Sequence, residues 1–385
     1  MNTAYSEMLN TAEQAAIKQD KEIFKKIFPN CNNNPTTADW QGLNGNLPLK
    51  EIAADYPHIR HYFLSEHRFS GWEKFAVYME LLADGQSIIT QFESAADAIV
   101  CGDVDRLQLL LKNNPALVTA RSMRVHHAAL LHYVGANGVE QYRQKTPANI
   151  IEAAWLVLQA GADINAVADM YSKDTTLGLT ATSVHPYIAG VQNALVQFLL
   201  NNGAVMNALP GENIVTACLA NGRGEAAEYL ALCGAEINLE AAAGLGDIEL
   251  VKTFFEENGN LKKDVSIRQM QHGFEWACQY NRPAVVSFLL QCDVDAYTQQ
   301  QGLHWAAVCG HTEIIQLFVQ SRAPLETRNK YGGTVLGAAL WGAYNNSSGK
   351  DFKPAIKMLL DAGADIYADK GLEDYVNRLM KNEDL

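Results

Sequence analysis

Histidines and carboxylates are where any chemistry in this chain would begin. His58 and His61 stand three apart on a stretch read as helix, Asp55 lies one turn earlier and His67 follows. Two imidazoles and a carboxylate on one helix face could hold a metal ion. An amphipathic helix with solvated histidines accounts for the same spacing, and the expectation is no metal and no cofactor. A second group, His126, His127 and His132, falls within Val125-His126-His127-Ala128-Ala129-Leu130-Leu131-His132-Tyr133. The carboxylate pairs Glu256-Glu257 and Glu383-Asp384 lack the cleft that general acid–base work needs to shift a pKa. No Gly-x-Ser-x-Gly elbow occurs, and Gly349-Lys350-Asp351 lacks the earlier glycine and the hydroxyl of a phosphate loop. Gly222-Arg223-Gly224 and Gly244-Leu245-Gly246 follow no strand, which removes the dinucleotide reading. The chain therefore reads as non-catalytic. The enzyme alternative would place a site in the first ninety residues or in the loop from Val139 to Asn149.

Composition bounds the elements that would carry such groups. The 385 residues are 48% hydrophobic, enough to bury a core and too apolar for a wholly disordered chain. Forty-three acidic residues against 30 basic ones give a formal charge of −13, which argues against nucleic acid and anionic membrane as general partners. The seven cysteines, Cys31, Cys101, Cys218, Cys233, Cys278, Cys292 and Cys309, form no Cys-x-x-Cys pair and fit neither a disulfide framework nor a zinc ribbon. No basic stretch followed by an apolar run opens the sequence, and no segment approaches the ~18 apolar residues of a membrane span. The expectation is a reduced, soluble, cytoplasmic protein, monomeric, with a protein partner.

Internal repetition is the strongest signal. An apolar helix ending in Leu-Leu or similar, a polar step and then Gly-Ala recurs at Leu156 to Asn165, Phe198 to Ala204, Tyr229 to Asn238 and Met358 to Ile366. The glycines of the phrase are Gly161, Gly203, Gly234 and Gly363. Each supplies the left-handed helix end that a Cβ would penalise. An Ala-Ala pair followed by Gly precedes it in several copies, as at Ala242-Ala243 with Gly246 and Ala306-Ala307 with Gly310. Small residues let the first helix of a unit approach its neighbours, while the Leu-rich second helix carries a stripe that only the next unit can cover.

These residues resemble the ankyrin repeat, a β-turn plus two antiparallel helices in about 33 residues. In the best copy Leu303, His304, Ala306 and Ala307 match the family's Leu-His-x-Ala-Ala, with Gly302 where Pro is usual. The next unit opens Thr334-Val335-Leu336-Gly337-Ala338-Ala339 and loses the histidine. The resemblance implies an all-α solenoid of about eight units over residues 91–368. It also implies a structural role for His132 and His304, hydrogen bonding across the turn. The spacing between Gly161 and Gly203 exceeds that between Gly203 and Gly234, and extra residues are assigned to insertions near 139–149, 183–191 and 344–353, expected as loops on one side. The stretch from Ala241 to Asn260 is short and lacks the turn. Residues 369–385 read as a C-terminal capping helix and tail.

Residues 1–90 read as separate helices, roughly Glu13 to Phe28, Leu49 to Glu66 and Trp72 to Leu82, with Ser70 as the N-cap of the last. They are expected to cap the first repeat, with an independent interaction module as the alternative. Aligned copies put Trp276 and Trp305 at one position of consecutive units, Tyr280 one turn after Trp276, and Trp341 three positions past that register. Either these rings pack between units or they line a binding groove, with His311, Arg322 and Tyr331 exposed at turns. The functional expectation is a protein-binding module presenting this groove, a regulatory or immunity-type subunit being the alternative.

Overall fold

Small residues and left-handed helix ends decide how this chain folds. The computed structural model describes residues 64, 67–346, 349–368 and 371–381 and divides into two units, Met1–Ile214 and Val215–Leu385. Nearly all of the described regular structure is helical. Among the described residues no helix is long and apolar enough to cross a membrane.

The first unit holds helices α1 (Trp72–Ala83), α2 (Ile88–Cys101), α3 (Val104–Asn113), α4 (Ile150–Gln159), α5 (Thr176–Thr182), α6 (Val184–Ile188) and α7 (Gln192–Asn201). Three 3-10 turns, Pro115–Val118, Leu130–Gly135 and Gln141–Arg143, and a two-stranded ribbon complete it. The ribbon pairs β1 (Val167–Ala168) with β2 (Asp174–Thr175), Val167 opposite Thr175. Helix α2 starts where the Ser87 side chain accepts the Thr90 N–H at 3.1 Å. It stops at Gly102, whose φ of 73° a side chain would resist. Helix α1 has Gly71 at its N-cap and no side-chain cap bond, so the Ser70 cap expected from sequence is not formed. One row runs from α2 through the Leu130–Gly135 turn to α5, and α3, α4 and α7 form the second. The 3-10 turn stands where a first helix belongs. It is short because Gly135 lies against the Thr180 backbone and Ala136 turns left-handed at φ 48°.

The second unit runs on from α8 (Ile214–Ala220) through α9 (Gly224–Leu232), α10 (Leu239–Leu245), α11 (Ile248–Lys252), α12 (Ile267–Gln279), α13 (Pro283–Leu289), α14 (Ala296–Val308), α15 (Thr312–Gln320), α16 (Val335–Tyr344), α17 (Lys353–Asp361) and α18 (Leu372–Lys381). The first helices α10, α12, α14 and α16 pack in succession, as do the second helices α11, α13, α15 and α17, and α18 lies against α16. Glycines set the spacing of the first row. Gly273 faces the Ala243 methyl and the Glu240 backbone, Gly302 faces Phe274 and Cys278, and Gly342 faces the Val308 carbonyl oxygen. Leu303, Ala306, Ala307, Phe274, Phe318 and Leu359 are buried in one continuous apolar core. Between α11 and α12 a single antiparallel bridge, Phe255 to Leu261, spans the irregular copy.

One joint recurs in both units. Gly161, Gly203, Gly234 and Gly363 sit at φ 100°, 93°, 90° and 95°. After each, the Ala N–H reaches back five residues, Ala162 to Val157 O at 3.2 Å, Ala204 to Leu199 O at 3.0 Å, Ala235 to Leu230 O at 3.1 Å and Ala364 to Leu359 O at 3.0 Å. This closes carbonyls that a helix end leaves open. Gly310 at φ 61° makes the same closure after α14, with His311 N–H on Ala306 O at 2.9 Å. Arg322 occupies the glycine position after α15 at φ 57°, with Ala323 N–H on Phe318 O at 3.0 Å.

The tight crossing at Gly342 yields a direct test. A Cβ there collides with the Val308 carbonyl oxygen and the Phe352 ring, so Gly342→Ala is expected to cost about 1–3 kcal/mol by overpacking. Gly333→Ala, where the nearest atom would be 3.7 Å away, should be near neutral. Urea melts of the two variants beside the parent chain compare them directly.

Candidate functional site

The outward face of the first helices in the second unit is where large aromatic side chains meet solvent. On α14, Tyr297, Gln301 and Trp305 recur at four-residue spacing and so share one stripe. Trp305 is 38% exposed and Trp341 on α16 is 61% exposed, with Tyr344 also open. Trp276 on α12 is half-buried. Each tryptophan carbonyl accepts the N–H of its helix's C-cap residue, Tyr280, Cys309 and Asn345 respectively. Counted from the helix end, the three indoles therefore hold one position, and the three-residue offset of Trp341 seen in the sequence register disappears. Helix α16 simply continues further past its Ala-Ala pair. Gly302 and Gly342 lie against neighbouring groups on these helices, while Trp305 and Trp341 stay open to solvent.

Other residues expected in the groove are engaged elsewhere. The Tyr280 hydroxyl donates to Leu219 O at 2.5 Å and its ring abuts Gly224, so it clamps α12 to α8 and α9. Burial pushes that hydroxyl's pKa up to about 12. His311 Nε2–H donates to Gln279 O at 2.9 Å while Nδ1 receives Lys350 Nζ at 3.0 Å, and burial holds the imidazole down at about 4. Arg322 and Tyr331 are exposed at turns, Tyr331 85% so. His304 Nε2–H donates to Thr327 O at 3.0 Å. His132 Nδ1 accepts the Ala129 N–H at 3.1 Å and Nε2–H donates to Ala166 O at 2.9 Å. Both bonds cross to a following segment, and for both rings burial lowers the pKa, to about 4 for His132.

Sequence reasoning missed the most polar interior of the molecule. In the first unit, Arg124, Arg143, Glu93 and Glu140 are all fully buried. Arg124 contacts Glu93 Oε1 and Glu140 Oε1, each at 2.5 Å, and Arg143 contacts Glu93 Oε2 at 2.5 Å and Asp97 at 2.6 Å. The Tyr78 hydroxyl accepts from Arg124 at 2.8 Å, and the Arg124 guanidinium stands 4.9 Å from that ring's centre. Arg143 stacks over Tyr142 and Tyr133. His126 accepts the Ala128 N–H on Nδ1 at 3.1 Å, so its proton is on Nε2, facing Glu140 at 3.3 Å. Burial alone would raise the Glu140 carboxyl, but Arg124 and Arg143 outweigh it and hold it well below the usual range. The insertion near 139–149, expected as a loop on one side, delivers Val139, Glu140 and Arg143 to this interior. The paired charges of Glu140 and Arg143, three apart, were the available signal.

Two further histidines of the sequence clusters lie among the described residues. His127, at φ 46°, pairs through Nδ1 with Asp169 Oδ2 at 2.8 Å on the surface. His67 is buried between Phe75 and Tyr142, and burial, then Arg124, pushes its pKa down to about 3. Asp55, His58 and His61 lie outside the described residues. Among the described residues no group of three or more His, Cys, Asp or Glu side chains is placed to hold a metal ion.

A family model of ankyrin repeats matches three copies' worth of sequence, over residues 239–325 and 274–370. The crystal structure of the human ASB11 ankyrin repeat domain is similar at 19% identity, over 70% of this chain and 98% of that one, with a TM-score of 0.35. No curated protein matches the chain.

The buried ions and imidazoles make acid stability a measurable signature. His67 and His132 titrate lower folded than unfolded, so their contribution is complete above about pH 6.5 and is lost as pH falls towards 4 and 3. Glu140 adds a loss at still lower pH, below the ordinary carboxylate range. Urea midpoints should therefore decline from about pH 6.5 downward, and His67→Phe should flatten the decline. Arg143→Ala, which strands buried carboxylates, should cost about 3–5 kcal/mol in the same melts.

Proposed function

From the premise that this chain carries ankyrin repeats, we propose that it is a non-catalytic module that binds a protein partner through the outward face of α12, α14 and α16. Ankyrin repeats are generally protein–protein interaction modules, and the exposure of Trp305 and Trp341 on an otherwise core-packed helix row carries the reading. Large indoles on a rigid helix are among the best binding anchors because they bury much area with little loss of side-chain freedom. The row is held by close packing at Gly273, Gly302 and Gly342, so binding need not order the surface first. Tyr331 and Arg322 extend the same surface at turns. A charge of −13 favours a neutral or basic partner over nucleic acid and makes association salt-sensitive. The chain is placed in the cytoplasm as a monomer.

The test is affinity capture from the native organism with the parent chain and with Trp305→Ala and Trp341→Ala. The captured protein should be lost from both variants while their circular dichroism melts stay cooperative. Equal capture by all three chains would remove the face from consideration. Assaying a captured enzyme or toxin with and without the parent chain separates simple display from masking.

A further inference from the structure

Beside the tryptophans, the same face carries carboxylates whose burial the fold compensates only in part. Glu275 precedes Trp276 on α12 and is half-buried, and its carboxyl makes no hydrogen bond or ion pair among the described residues. Glu240, on the neighbouring α10, stands 3.3 Å from His272 Nδ1, and the His272 and Trp276 ring centres are 6.1 Å apart. Glu240, His272, Glu275 and Trp276 thus form one local patch across two packed helices. The other charges nearby are accounted for. Asp295 is committed to Thr298 Oγ1 at 2.6 Å and Gln271 Nε2 at 2.8 Å. Arg268 lies on the same helix, exposed, near enough to Glu240 to favour its charged form. Burial raises the carboxyls of both Glu240 and Glu275, outweighing the lowering effect of His272 on both and of Arg268 on Glu240.

We infer that the protein segment bound by this face presents an arginine side chain, whose guanidinium sits against the Trp276 indole and between the carboxylates of Glu275 and Glu240. The inference rests on the protein-binding reading above and names the chemistry of its partner. Charge complementarity selects a cation. Planarity selects guanidinium over ammonium, because it stacks on an indole while its donors fan out to two separate carboxylates. The patch lies on an open helix face, so the cation arrives on a longer chain whose neighbouring apolar side chains meet Trp305 and Trp341.

Fluorescence anisotropy with three labelled twelve-residue peptides of Gly, Ser and one charged residue type decides the matter: arginine, lysine or glutamate at every third position. The arginine peptide should bind saturably and weaken with salt, the lysine peptide more weakly, and the glutamate peptide not at all. Glu275→Gln and Glu240→Gln should each weaken arginine-peptide binding by about tenfold or more, as expected for a lost charge-assisted contact. Glu249→Gln, on the second helix α11 and already paired with Lys252, should leave it unchanged. Absence of saturable arginine-peptide binding, equal binding of the lysine peptide, or an equal loss on Glu249→Gln would each overturn the assignment. A flat peptide titration beside a cellular capture that Trp305→Ala abolishes would leave the protein-binding reading standing and remove arginine from it. Trp276→Phe, which keeps an aromatic face but weakens its attraction for cations, serves as an independent arm and should lower affinity without altering the melt.

Discussion

A helical hairpin of this chain cannot bury its own apolar stripe, and every other feature follows from that. Ile314, Ile315 and Phe318 on α15 are fully buried only because α13 and α17 flank them and α14 lies beneath. Burial of side chains this size is worth about 1.5–3 kcal/mol each, far more than any single hydrogen bond at a joint. Stability therefore belongs to the interfaces between hairpins, and the second helices can be short, as α13 and α11 are. The joint with its backward hydrogen bond sets the turn, while neighbour burial supplies the energy. Left-handed residues with side chains, Asn281, Asp293 and Arg322, are tolerated at joints because the adjoining interfaces remain intact.

The two units solve the same packing requirement with different chemistry. The core of the second unit is dry, built from Ala, Leu, Val, Ile and Phe with glycines at the closest crossings. The first unit encloses four fully buried charges and three tyrosines where a first helix is reduced to a 3-10 turn. A short turn cannot fill the space of a full helix, and Arg124 and Arg143, reaching in from the flanking segments, fill it with their long side chains. Buried ion pairs contribute little net stability against apolar isosteres, but they are intolerant of any partner's loss. That intolerance makes the segment carrying Phe69 and Tyr78 and the insertion carrying Glu140 and Arg143 mutually dependent.

The same geometry leaves an aromatic face open to solvent. The small residues of α12, α14 and α16 let neighbouring helices approach closely, and on these helices Trp305 and Trp341 stay open to solvent. Exposed indoles and a half-buried, unpaired Glu275 are what a helix row of this kind displays when its inner side is fully used. A guanidinium matches both features at once, which neither an apolar side chain nor an anion does.

The repeat phrase determined the helical-hairpin architecture and the left-handed positions at Gly161, Gly203, Gly234 and Gly363, because these depend on local backbone conformation and short-range spacing, while the structural use of His132 and His304 followed from the resemblance to the ankyrin repeat. The tryptophans of the face were legible as residues, yet their common position was not, since it is set by where each helix ends rather than by where its motif begins. Tyr280 and His311 looked available in one dimension and proved bound to Leu219 and Gln279, contacts that exist only after distant helices dock. The network of Arg124, Arg143, Glu93 and Glu140 was decided by the tertiary structure alone. Charged side chains spread over three segments read as solvated until packing closes over them, and whether they are buried is a property of the assembled core, not of any local stretch.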